Sequence, residues 1–166
     1  MALVSSSQVV TDQSAVPAVK VNSLEKGGVV RTAQGFIAAA NLVAGTIGQW
    51  YTFVRLPVRA RVLGIFHTGG ASTGAGSVGL YRPDGIAIDN ACFSADSDLT
   101  SNVRGRMDTI AYTAAKRKDS IATAFATQIG TAGATGDVEV DIAVTITTVV
   151  NTPQDALIEV DYVLPE

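Results

Sequence analysis

The stretch at residues 137–150, DVEVDIAVTITTVV, decides the reading of this chain. Its even positions are Val138, Val140, Ile142, Val144, Ile146, Thr148 and Val150, and its odd positions begin Asp137, Glu139, Asp141, Ala143, Thr145 and Thr147. A period of two places alternate side chains on opposite faces of a strand, so the pattern predicts a long strand with one buried and one wet face. Residues 151–155 (NTPQD) predict a turn, and residues 157–164 (LIEVDYVL) a returning strand. In that strand Ile158, Val160 and Tyr162 oppose Glu159 and Asp161, and the two strands together form an expected terminal hairpin.

Upstream of this hairpin the same grammar repeats in shorter pieces. Residues 49–56 (QWYTFVRL) read as a strand broken by Pro57, and residues 59–67 (RARVLGIFH) as the next. Residues 69–76 (GGASTGAG) read as a flexible turn and residues 77–82 (SVGLYR) as a third strand. Pro83-Asp84-Gly85 is a turn with a mechanism: Pro presets φ, Asp bonds local amides, and Gly accepts positive φ. Residues 86–93 continue the sheet, residues 94–101 (SADSDLTS) read as a loop or helical turn, and residues 108–113 as a short strand. Residues 118–127 read as a short helix capped by Asp119 or Ser120, and residues 130–136 as a second flexible turn. Residues 1–34 carry Pro17 and short apolar pairs without a helical stripe, and read as an extended arm that docks its Val9, Val10, Val19 and Val21 on its own domain or a neighbour.

Composition supports this reading. In 166 residues there are 21 Val, 11 Ile and 17 Thr, residues whose branched Cβ suits a pleated surface. At 47% hydrophobic and 16% charged, the chain can bury a core as one domain. The expected fold is all-β, a jelly-roll-like antiparallel β-sandwich at residues 35–166 behind the arm at 1–34, with at most one or two short helices. The N-terminal residues have no basic segment followed by a long apolar core, so neither a secretory signal nor a membrane span is expected.

The supply of reactive groups is poor. One Cys (Cys92) and one His (His67) exclude an intrachain disulfide and a Cys/His zinc cage. Gly74 to Gly79 match G-x-G-x-x-G, but no βαβ context surrounds them. Gly70 to Gly74 match G-x-S-x-G around Ser72, but His67 precedes that serine and no helix follows. His67 is expected at a strand end, bonded to backbone. Asp96, Asp98 and Asp89 could offer oxygen ligands to calcium but lack an EF-hand frame, so an ordinary turn is the simpler reading. The ten aromatic residues, Trp50 among them, are expected in the core.

Charge is split along the chain. Residues 137–166 hold seven acidic residues and no Lys or Arg, whereas residues 1–136 hold all 12 basic and 8 acidic residues. This does not read as a nucleic-acid binder, which would cluster its bases on one face. Arg55, Arg59 and Arg61 could form a stripe that pairs with the acidic C-terminal strands or with another subunit. Lys116-Arg117-Lys118 reads as a solvated turn or a phosphate contact.

The order of these segments resembles small tailed-phage virion proteins. The resemblance lies in residues 36–65 (FIAAANLVAGTIGQWYTFVRLPVRARVLGI), then SVGLYRPDG with AIDNACFSADSDL, then RKDSIATAFA, the long alternating strand and the terminal LIEVDYVLP. It covers residues 36–164 by pattern more than by identity. It implies a jelly-roll-like head decoration (cement) or minor capsid protein without enzymatic activity or cofactor. Its implied partners are the major capsid protein and further copies of itself, with a trimer as a plausible case, and its implied place is the capsid surface of the virion, after synthesis in the host cytoplasm. No nucleic-acid or membrane partner is expected. Two other readings stand beside it: a carbohydrate- or receptor-binding sandwich of a phage tail or fibre, and a hydrolase using Ser72 and His67.

Overall fold

The computed structural model describes residues 29–39, 47–100, 104–108, 114–131 and 139–164. They form an antiparallel β-sandwich, as the alternation predicts. Its strands are β1 (Val30–Ile37), β2 (Trp50–Pro57), β3 (Arg61–Tyr81), β4 (Ala87–Asp98), β5 (Gly105–Arg106) and β6 (Glu139–Val163). Among the described residues three short helices lie between β5 and β6: α1 (Ala114–Arg117), α2 (Ile121–Ala124) and α3 (Ala126–Thr131).

The frame is a ribbon of two very long strands. β3 and β6 pair from Arg61 opposite Val163 to Tyr81 opposite Asp141. Each end of the ribbon is extended into a four-stranded half. β1 pairs with residues 156–163 of β6 and β5 with the start of β3, giving the order β1-β6-β3-β5. β2 pairs with residues 139–145 of β6 and β4 with the end of β3, giving β2-β6-β3-β4. Ile65, Ile158 and Val160 of the first half and Leu56, Val78, Leu80 and Val144 of the second belong to one buried cluster.

Two expected turns are therefore absent. Residues 69–76 stay in β3, and residues 151–155 stay in β6, where Ala71 pairs with Pro153 and Thr73 with Asn151. The expected terminal hairpin is corrected accordingly: its two arms are consecutive parts of one strand, and both pair with β3. Positive φ at Gly69 (77°) and several register shifts bend the ribbon at this point. A Cβ on Gly69 would overlap the Asp155 carbonyl oxygen, so the two strands meet here without room for a side chain. The Gly-rich run is a bend in a paired strand, which local turn grammar cannot distinguish from a loop.

Residues 94–98 belong to β4 rather than a loop, and β3 starts at Arg61 after a turn closed by the Ala60 amide donating to Pro57 O at 2.8 Å. β5 precedes the expected strand at 108–113, of which residues 109–113 lie outside the described residues, as do residues 132–136 of the second expected flexible turn. Val30 to Gln34, which the sequence assigns to the arm, are in β1, and residues 1–28 lie outside the described residues.

The expected wet face of β6 is covered as well: Asp141, Ala143 and Thr145 are buried. Arg55 grips Asp141 at 2.6 and 3.0 Å, and the Tyr81 hydroxyl meets Thr145 Oγ1 at 2.6 Å beneath the stacked ring of Trp50. The expected turn at Pro83-Asp84-Gly85 is present. The Gly85 amide donates to Arg82 O at 2.9 Å, the Arg82 amide to Ile86 O at 2.8 Å, and Gly85 has φ of 88°.

The helical segment contributes to the core. Ser120 caps α2 by accepting from the Thr123 amide at 3.3 Å. The free amides of Ile121 and Ala122 donate to Ala60 O and Val58 O, both at 2.8 Å, so the helix start is pinned to the turn before β3. Ile121, Phe125 and Ile129, four residues apart, lie buried on one face, and Phe125 meets Phe93 edge-on at 5.4 Å.

Candidate interaction surface

The single cysteine and the single histidine are withdrawn from solvent. Cys92 is free and buried, and burial pushes its thiol up, far from a thiolate at neutral pH. His67 is inside β3 rather than at a strand end, and among the described residues its Nε2 has no hydrogen-bond partner. Residues 74–79 are strand, so no helix N-terminus follows the G-x-G-x-x-G pattern. Ser72 also lies within β3, where no helix follows. Among the described residues no three His, Cys, Asp or Glu side chains are grouped to hold a metal. Asp98 instead is bonded by the Thr100 hydroxyl and accepts from the Thr100 amide at 2.8 Å, which together lower its pKa, and Asp89 accepts from the Ala91 amide at 3.1 Å.

Charged groups are largely consumed within the fold. On the outer face of the first half, Thr32 donates to Asp161 (2.7 Å) and Gln34 to Glu159 (2.9 Å). Arg104 donates to Glu159 (2.5 Å), approaches Asp161 (3.7 Å), and lies 3.5 Å above the Phe66 ring. The Arg104 bond, seconded by Gln34, holds the Glu159 carboxyl below the usual carboxylate range. Asp108 is the buried centre of a second network. It accepts from the Ile65 amide at 2.8 Å, from Arg106 at 3.0 Å, and from Arg117. Burial raises its pKa, and the amide and guanidinium groups oppose that shift. Arg117 also donates to Leu63 O (3.0 Å) and the Lys116 ammonium sits 4.8 Å from the Phe125 ring, which leaves Lys118 as the exposed member of the basic tripeptide.

The three candidate arginines do not form one stripe. Arg55 on β2 is paired to Asp141 within the chain, Arg59 is exposed in the turn before β3, and Arg61 is buried at the start of β3. Val9, Val10, Val19 and Val21 lie outside the described residues.

What the surface does present is apolar. On β1, Val30, Thr32, Gln34 and Phe36 share the outer face by alternation, and Phe36 is 62% exposed. Val29 and Val30 are also exposed, at the point where residues 1–28 join the sheet. On the second half Trp50 is 40% exposed, stacked on Tyr81 at 5.0 Å, with Ile86 exposed in the turn region beside it. The expectation that these aromatics serve the core is corrected for Trp50 and Phe36. A signal existed for Phe36. It shares parity with Thr32 and Gln34, whereas Ala33, Gly35 and Ile37 occupy the other face. Trp50 gave none, because its neighbours read equally well with either face inward.

No protein-family model matches the chain, and no curated protein does. Among solved structures the chain is similar to phage capsid chains. One belongs to the acidic stable capsid structure of Helicobacter pylori bacteriophage KHP30, at 16% identity and a TM-score of 0.40, covering 84% of this chain and 90% of that one. Another belongs to the capsid asymmetric unit of cyanophage Pam1, at 17% identity and a TM-score of 0.38, covering 84% of this chain and 87% of that one.

Proposed function

We propose that this chain is a structural protein of a phage head, a decoration or cement protein without enzymatic activity that coats the capsid surface as an oligomer, a trimer being the simplest case. The resemblance of residues 36–164 to small virion proteins supports it. The observation that carries it furthest is β1: an edge strand with Val29, Val30 and Phe36 exposed, placed where a 28-residue N-terminal segment meets the domain. An apolar outer face beside such a segment suits attachment to the major capsid protein or a neighbouring copy. Several weak arms on one oligomer then bind with avidity. Binding only the assembled shell stabilises that shell by linkage.

The test is co-sedimentation with expanded phage-type shells, comparing the wild type with Val30→Asp and Phe36→Asp. Both side chains are exposed, so the variants are expected to fold normally and bind shells at least tenfold more weakly. Unchanged binding would remove β1 from the account.

One observation favours a second reading, a carbohydrate- or receptor-binding sandwich: the exposed ring of Trp50 braced on Tyr81. Glycan-array binding that specific sugars compete away, and that Trp50→Ala abolishes, would support that reading over the first.

A further inference from the structure

The only histidine of the chain sits where the sheet is thinnest. His67 is 2% exposed in β3, and among the described residues its Nε2 has no hydrogen-bond partner. The two neighbours of β3 differ greatly at this position. On one side His67 faces Ile158 within the long β3–β6 ladder. On the other, β5 contributes a ladder of two residues, Gly105 opposite His67 and Arg106 opposite Phe66. One residue further, the Met107 amide donates to Ile65 O at 2.9 Å.

The charged groups of this edge belong to the other face. Phe66 lies beneath Arg104, and Arg106 stands 5.8 Å from the same ring. Arg104 is held by Glu159 and Asp161, and Arg106 by Asp108 and Leu63 O. Adjacent strand residues point to opposite faces, so His67 is turned away from these groups. The charged group that acts on the imidazole is Asp98 at the end of β4. Burial lowers the His67 pKa, and Asp98 opposes the shift in part.

We propose that His67 is an acid-operated latch on the β3–β5 edge, whose protonation opens the pairing at Gly105–Met107 while the rest of the sandwich stays closed. A charged imidazole needs water or a counterion at both nitrogens. Reaching water past β6 would break the longest ladder in the fold, whereas reaching it past β5 breaks the shortest. Opening also gives Asp98 access as a counterion.

The sign follows from linkage. The closed form favours neutral His67, so the contribution of this residue is complete above the ordinary histidine pKa of about 6.5 and is lost as pH falls through that value toward the lower folded one. Asp108 clamps the same segment but acts oppositely. Its pKa is raised in the fold, so protonating it as pH falls favours the closed form.

Amide hydrogen exchange on the full chain at pH 7.5 and 5.5, corrected for intrinsic rates, tests the latch independently of the proposed function. Protection at Ile65 and Met107 should fall in acid, by up to about tenfold. Protection in β2 and the middle of β6 should hold, and His67→Gln and His67→Leu should abolish the fall. The same loss in either neutral variant, a uniform loss across the sheet, or no loss would overturn the proposal. If neither variant folds, the NMR titration of the single imidazole decides: a midpoint below about 6.5 is required, and one at or above it refutes the latch.

Discussion

Gly35 is where the two halves of the sandwich touch along one edge. It is buried on β1, and a Cβ there would overlap the carbonyl oxygen of Phe53, which is main chain and cannot swing aside. Gly35→Ala should therefore lower unfolding stability by about 1–3 kcal/mol, read as a shift in urea midpoint. Gly130 in α3 is the contrast, with nothing within 4 Å of its Cβ position. Gly130→Ala should raise stability by up to about 1 kcal/mol in the same measurement, because alanine is the better helix former. Cys92 should resist a thiol reagent in native buffer and react once in denaturant, since it is buried and its thiol is pushed up. At this scale the sequence was partly legible. Asp84 and Gly85 announce their turn because their own backbone preferences make it. The partner of Arg55 was one of two open choices, since Asp141 lies 86 positions away and only the β2–β6 register brings them together.

Alternation identified β6 as a strand because period two is a local property. It did not say what lies over each face. Asp141 and Thr145 read as solvent-facing, yet Arg55, Tyr81 and Trp50 reach across from other strands and cover them. The same limit explains the lost hairpin. Glycine and proline break most strands, so residues 69–76 and 151–155 read as turns. Here they form the bend of a ribbon whose pairing continues on both sides. The α2 cap was legible, since Ser120 acts through the next three residues. Ser120→Ala should cost about 1 kcal/mol by thermal or urea unfolding, with α2 loosening from the Val58–Ala60 turn.

For the whole molecule, part of the excess of acid in the last 30 residues is answered inside the chain. Asp141 meets Arg55, and Glu159 and Asp161 meet Arg104 and the polar side chains of β1. With these charges paired and the histidine and cysteine buried, the exposed large apolar side chains among the described residues include Val30 and Phe36 at the two ends of β1, Trp50 with Ile86 beside it, and Ile47 and Val149. Residues 1–28 could span up to about 90 Å if extended, far enough to reach a neighbouring subunit on a shell. If they dock on a neighbour, as proposed, removing them should spare the sandwich and leave its melting temperature nearly unchanged. The most direct measurement pairs light scattering with co-sedimentation on expanded phage-type shells, for the full chain and for a chain beginning at residue 29. The full chain should be an oligomer that binds shells saturably, and the shortened chain should fold but bind far more weakly. A monomer that ignores the shells would contradict the proposed function.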